Sequence, residues 1–304
     1  MSHEARAVLA TVLAATILAC GGGRTAPPSA AELDGSITVA SFNFGESALL
    51  GELYATALDG AGHPVERQLR LGAREVVQAA LQQGMADLVP EYAGSALAFL
   101  APGQPSVTDP AAARQLLAEA YRPHGITVLE HAPGQNQNGF VVQRQMAEAL
   151  DLRSLSDLQP VAGRLTFGGP PECPQRPLCL VGLREVYGLE FAAVEALDSG
   201  GPLTLAALGS GRVDIALLFT TNGALAGGEL LVLEDDLRLQ PAENVVPVLR
   251  DAIVDRHGEA VVDVIDRVTE RLDEVTLIGL NRRLDRGEKP AAVAAGWLAA
   301  NGFD

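Results

Sequence analysis

Apolar and polar positions along the chain switch repeatedly between a period of two and a period of about three and a half. Ile37-Thr38-Val39-Ala40 is a short apolar run that predicts a buried strand. The polar stretch Ser41 to Ser47 follows as a turn able to cap a helix. Ala48 to Ala61 then carries apolar residues at helical spacing, closing at Gly60 and Gly62. Val65 to Leu71 alternates as a strand, and Ala73 to Gln83 reads as a helix ended by Gly84. Met85 to Val89 predicts another strand. Pro90, with no N–H for a ladder, is expected to stop it, and an apolar helical run reaches Leu100. Strand and helix in this order imply a parallel sheet with helices packed on it.

Beyond a loop containing Pro102 and Pro105, the pattern gives a helix over 111–121 and a strand over 126–129. The turn-forming segment APGQNQNG (132–139) reads as a crossing into a second unit, and Phe140-Val141-Val142 restarts a strand. Further strands are expected at 164–167 and 213–219, and helices at 182–187 and 204–209. Thr220-Thr221-Asn222-Gly223 is a strong turn signal and reads as the return crossing. From about Ala242 the tail is expected to be mostly helical and structural, with Pro290 opening a last helix that carries Trp297. The organisation expected is residues 36–137 with 222–304 as one lobe and 138–221 as the other.

The 304 residues suffice for two compact units, and 48% hydrophobic against 20% charged residues describes a globular chain. A formal net charge of −16 argues against nucleic acid, whose phosphates would be repelled. At the amino end, Ala7 to Ala19 is an apolar run behind Arg6, too short to span a bilayer and shaped like the core of an export signal. Cys20 follows Ile17-Leu18-Ala19 and precedes three glycines, which resembles a bacterial lipobox whose cysteine is acylated. The expectation is a signal over 1–20, a lipid anchor on Cys20, and a Gly/Ala/Pro/Ser-rich tether over 21–35. That would hold the protein outside the cytoplasm, on the outer face of the cell membrane.

Candidate chemistry is sparse. Tyr92 sits where a strand end, a turn and a helix start meet, a place where open α/β sheets bind ligands; it is read either as a ligand contact or as packing over a helix start. Cys173 and Cys179, in the Pro-rich PPECPQRPLC, are most simply a disulfide in an exported protein, contributing about 2–3 kcal/mol. The five histidines are scattered without metal-ligand spacing, and no GxSxG elbow, phosphate loop or dinucleotide fingerprint is present. Asp87 in GMADLVPEY and Asp214 in GRVDIALLF look alike, each entering a strand ahead of a turn. No enzyme and no cofactor is expected.

Six segments in order, ITVASFNFGES (37–47), LGAREVVQAAL (71–81), DLVPEYAGSALAFL (87–100), LREVYGLEF (183–191), VDIALLFTTNG (213–223) and QPAENVVPVLR (240–250), resemble the substrate-binding proteins of ABC importers for quaternary ammonium solutes. The resemblance implies an α/β, two-lobed, hinged clamshell of the type II periplasmic-binding-protein kind. It also implies an aromatic box for a cationic head that has no N–H to donate. Carried over by motif, the box falls on Tyr92, Phe140, Leu180 and Phe219. Polar contacts fall on Asn138, Ser95 and Ser47, with Asn43 and Thr221 behind them. Phe140 and Phe219 keep a ring face without a hydroxyl, Leu180 has no ring, and Asn138 stands where an acidic residue is often found. The implied ligand is a small quaternary ammonium or zwitterionic solute such as glycine betaine or choline, and the implied partner is a membrane permease, with the binding protein a monomer. The alternative is a ligand-sensing surface lipoprotein of the same fold with no transport role.

Overall fold

The computed structural model describes residues 35–103 and 106–303; the export signal, Cys20 and most of the tether lie outside the described residues. The chain runs β1 (Ile37–Phe42), α1 (Gly45–Gly60), β2 (Val65–Gly72), α2 (Arg74–Gln82), β3 (Leu88–Tyr92), α3 (Ala93–Leu100), α4 (Pro110–Tyr121) and β4 (Ile126–Val128). It continues through β5 (Asn138–Gln143), α5 (Arg144–Leu150), β6 (Thr166–Gly169), α6 (Leu180–Tyr187), β7 (Ala193–Ala196), α7 (Pro202–Gly209), β8 (Ile215–Phe219) and β9 (Leu230–Val232). It ends with β10 (Val245–Arg250), α8 (Asp251–His257), α9 (Ala260–Thr269), α10 (Glu274–Asp285) and α11 (Pro290–Ala300).

These strands form two five-stranded mixed sheets of the same design. The first has the order β2-β1-β3-β10-β4 and the second β7-β6-β8-β5-β9. In each, three parallel strands are followed by an antiparallel strand that enters from the other half of the chain: β10 against β3 and β4, β5 against β8 and β9. The likeness of Asp87 and Asp214 is explained by this repeat. Each carboxylate accepts the backbone N–H of a threonine at the neighbouring parallel strand, Thr38 at 2.9 Å and Thr166 at 2.8 Å. Each aspartate N–H returns a bond to the carbonyl of the same threonine. The two aspartates are strand-start clamps.

Continuous apolar runs become strands buried on both faces. In β8, Ile215 and Leu217 enter one core with Phe140, Val142 and Phe167, while Ala216 and Leu218 enter the other with Val141 and Leu208. The first sheet packs Ile37, Val39, Val89 and Val248 into a larger core with Leu50, Leu53, Tyr54 and the tail helices through Ile265, Leu277 and Val293. Asp109, with Pro110 behind it, caps α4, and Asp273 caps α10.

Three expectations change. Pro90 does not end its strand: β3 runs on to Tyr92, with Pro90 directly opposite Pro247 of β10. Two opposed prolines occupy the pair position of an antiparallel ladder that asks for no N–H between the two strands, and on the other side the register of β3 with β1 stops at Leu88, short of Pro90. The tail is not helical from Ala242, because Val245 to Arg250 is instead a strand within the first sheet, between β3 and β4. The chain also stays with the second sheet past Thr221: after the Asn222-capped turn 223–227, Leu230–Val232 pairs with β5 before the chain crosses to β10. β7 and β9 are edge strands of four and three residues, too short for a periodic signal.

Candidate functional site

The segments following the parallel strands of both sheets face a common cleft of about 780 Å³, within the range of small-molecule sites. The first sheet contributes Arg74 and Glu75 after β2, and Gly94, Ser95 and Phe99 on α3 after β3. The second contributes Asn138, Pro170, the loop 172–179, Ser199 and Phe219. The cleft is closed at its back by crossing segments tied to one another. Gln137 Nε2 donates to the Pro241 carbonyl at 2.6 Å, Gln137 N–H to Thr220 Oγ1 at 3.0 Å, and Asn136 N–H to the Glu243 carbonyl at 2.9 Å. Gly223 lets the turn after β8 press on α10, since a Cβ there would lie 2.6 Å from the backbone nitrogen of Arg282.

The residues singled out in the sequence divide between this cleft and its supports. Phe219, Asn138 and Ser95 line it. Antiparallel register places Asn138 directly opposite Phe219, and Asn138 Nδ2 donates to the Leu178 carbonyl at 3.2 Å and to Gln240 Oε1 at 3.3 Å. Tyr92 lies beneath the cleft, 5% exposed, with its hydroxyl donating to Glu46 Oε1 at 2.7 Å and its ring 5.9 Å from Phe44. Burial, together with the Glu46 carboxylate, pushes its phenol well up. Phe140 is 1% exposed and packs on Phe167 at 6.2 Å in the second lobe's core, and Leu180 is half-buried against the same core. Ser47 is buried and accepts the Phe42 N–H at 3.0 Å. Thr221 is buried, its carbonyl accepting Asn281 Nδ2 at 2.8 Å, while Asn43 is exposed. Cys173 and Cys179 are bonded and both line the cleft.

The family described as the substrate binding domain of ABC-type glycine betaine transport systems matches residues 35–300, both sheets and every crossing between them. The chain belongs to this family. It is 30% identical over 291 residues to the glycine-betaine-binding protein of Pseudomonas aeruginosa, covering 92% of each chain. It is 26% identical over 269 residues to the glycine betaine-binding protein YehZ of Escherichia coli, covering 85% of this chain and 88% of that one. The crystal structure described as a glycine betaine/carnitine/choline ABC transporter superposes with a TM-score of 0.80 at 23% identity, covering 88% of this chain and 99% of the other. The fold is that of the type II periplasmic binding proteins. Members of the glycine betaine-transport family are binding components of an importer rather than enzymes, and work on the extracytoplasmic side with a permease. Among the described residues no helix is long and apolar enough to cross a membrane.

Beneath the cleft wall of this family member lies a buried polar network. Glu91, 0% exposed, accepts from Arg74 at 2.5 Å, from Gln78 at 2.5 Å and from the Tyr92 N–H at 3.0 Å. Arg74 also lies over the Phe42 ring, 4.9 Å from its centre. Next to it, Glu243 takes the N-terminus of α3, accepting the Ser95 hydroxyl at 2.5 Å and the Ser95 N–H at 3.0 Å. Burial raises the Glu243 carboxyl from 4.5 to about 7, against the Ser95 bonds and the Arg74 charge, with Glu91 adding to the rise. A group whose folded pKa is raised binds its proton more tightly in the native state. Its contribution to stability therefore falls as pH rises from about 4.5 to about 7 and stays low above that. Glu243→Gln is expected to flatten the melting temperature against pH between pH 5 and 7.5 relative to the parent, measured by differential scanning calorimetry. Parallel profiles would show that Glu243 does not titrate in this window.

Sequence reasoning passed over Arg74, Phe99, Arg176 and Glu243. Phe99 had a signal, since it stands one helical turn from Ser95 and so shares its face of α3. Arg176 also had one, as the cation inside the Cys173–Cys179 loop. Arg74 and Glu243 had none, because their meeting at Glu91 and Ser95 joins distant parts of the chain.

Proposed function

We propose that this chain captures a quaternary ammonium compatible solute, glycine betaine or a close relative, in the cleft between its lobes and delivers it to the permease of an ABC importer. The observation that carries this reading is the family match over residues 35–300, which includes both walls of the cleft. The cleft chemistry supports it. Phe99 and Phe219 offer ring faces from opposite lobes, and Glu75 offers negative charge. A trimethylammonium group can be held by such faces at about 0.5–2 kcal/mol each. Tyr92 is assigned to the support beneath them, with Asn138 and Ser95 as polar edges, and ligand shifts the open–closed equilibrium by its preference for the closed form. Asn43, Ser47, Thr221, Phe140 and Leu180 are assigned to the frame of the cleft. A first lobe crossing near 137, a return crossing after Val232, and acylation at Cys20 behind the apolar run 7–19 complete the reading. The protein is taken to act as a monomer.

The test is a thermal-shift series on the purified full-length chain in detergent with glycine betaine, choline, carnitine, proline betaine and proline, and with unrelated sugars as controls. A solute at about 100 times its dissociation constant adds roughly 2.7 kcal/mol, a rise of about 5 °C or more for a chain of this size. A selective rise with trimethylammonium compounds is expected. No rise with any of them would overturn the substrate class.

A further inference from the structure

Two cationic side chains line the cleft, Arg74 and Arg176, and only Arg74 is committed to internal partners, the Glu91 carboxylate and the Phe42 ring. Arg176 sits inside the loop closed by the Cys173–Cys179 bond. Its N–H donates to the Cys173 carbonyl and its own carbonyl accepts the Cys179 N–H, both at 3.1 Å. Its backbone is thus pinned at both ends, while its guanidinium has no hydrogen bond or ion pair among the described residues. Glu172 on the same loop also lines the cleft and makes no bond to it.

The other places where such a cleft would take an anion are already filled from within the chain. At the start of α3, the N–H groups of Ala93 and Gly94 bond the carbonyls of Asn244 and Ala242, and Ser95 bonds the Glu243 carboxylate. At the start of α7, beside cleft-lining Ser199, the Asp198 carboxylate accepts the N–H groups of Gly201, Leu203 and Thr204 at 2.9–3.1 Å. A ligand carboxylate approaching either helix end would meet a carboxylate already seated there. It would meet a free guanidinium, able to grip both its oxygens, at Arg176.

We infer that Arg176 is the carboxylate-binding residue of the cleft, so that the protein selects betaines, which carry a carboxylate, over cationic choline. The inference rests on the functional reading above, and the Phe99 and Phe219 faces take the trimethylammonium end common to both compounds. The disulfide serves this role by fixing the Arg176 backbone at the cleft before ligand arrives, so that binding has only the side chain left to order.

Isothermal titration calorimetry of the full-length protein and of Arg176→Gln, each with glycine betaine and with choline, tests it. The parent is expected to prefer glycine betaine by tenfold or more. The variant is expected to lose about tenfold to a hundredfold for glycine betaine, the worth of a charge-assisted bond, while choline affinity stays within about twofold, and Arg176→Lys should recover part of the loss. Equal losses for both compounds, or no loss for glycine betaine, would overturn the assignment. So would a parent that binds choline as tightly as glycine betaine. A parent that binds neither would overturn the functional reading, and the assignment with it.

Discussion

Glu91→Ala is expected to destabilise the protein by about 3 kcal/mol or more, the cost of removing one partner from a buried ion pair. The carboxylate is fully buried, and three donors converge on it, Arg74, Gln78 and the Tyr92 N–H. Alanine leaves the Arg74 charge with the Phe42 ring and the more distant Glu243 carboxylate as its remaining support. At roughly 2–4 °C per kcal/mol for a chain of this size, the melting temperature should fall by about 6–12 °C. Circular dichroism melts would register this directly. Glu91→Gln should recover little, since it restores shape and not charge. A drop under about 1 kcal/mol would mean that Arg74 turns into the cleft and solvates. Combining Glu91→Ala with Glu243→Gln separates these cases. If Glu243 becomes the substitute partner, the double variant should lose more than the sum of the two single losses.

Phe219→Ala is expected to weaken glycine betaine binding by about tenfold or more while the protein stays folded. One ring face against a desolvated trimethylammonium group is worth up to about 2 kcal/mol, and about 1.4 kcal/mol is tenfold. Phe219 ends β8 half-buried, with one side on the cleft, so truncation removes little core packing. Phe219→Tyr keeps the face and should retain affinity. Phe140 provides the contrast. It packs on Phe167 in the second core, so Phe140→Ala should cost about 3–5 kcal/mol of stability. Its effect on binding should track that lost stability rather than a lost contact. Calorimetric titration beside thermal melts would tell the two phenylalanines apart, and unchanged affinity in Phe219→Ala would remove it from the box.

What the linear chain could reveal about the site followed the range over which each interaction acts. Ser95, Asn138 and Phe219 stand at strand ends or helix starts next to Gly/Asn turn signals, and these reach the cleft. Tyr92 shares that local setting, but its hydroxyl is taken by Glu46 of α1, a partner invisible to any local pattern. Phe140 differs from Phe219 by little in the sequence. In the sheet it lies two residues in from the end of β5, opposite Leu217, and side chains there point into the core.

Periodicity and turn chemistry by themselves determined the alternating strands and helices up to Leu100, the parallel start of the first sheet, the crossing at 132–139 and the disulfide, because each rests on contacts within a few residues or on one backbone preference. Tertiary structure alone decided that Pro90 could remain inside a strand, by setting Pro247 opposite it, and that Val245 to Arg250 would join the first sheet rather than begin a helix. It also decided that the start of α3 is filled by Glu243 from far along the chain, and so which cation in the cleft is left free. The physical reason is the same in each case. A ladder partner or a counter-charge far along the chain changes what a residue costs to bury, and that term is absent until the chain has closed on itself.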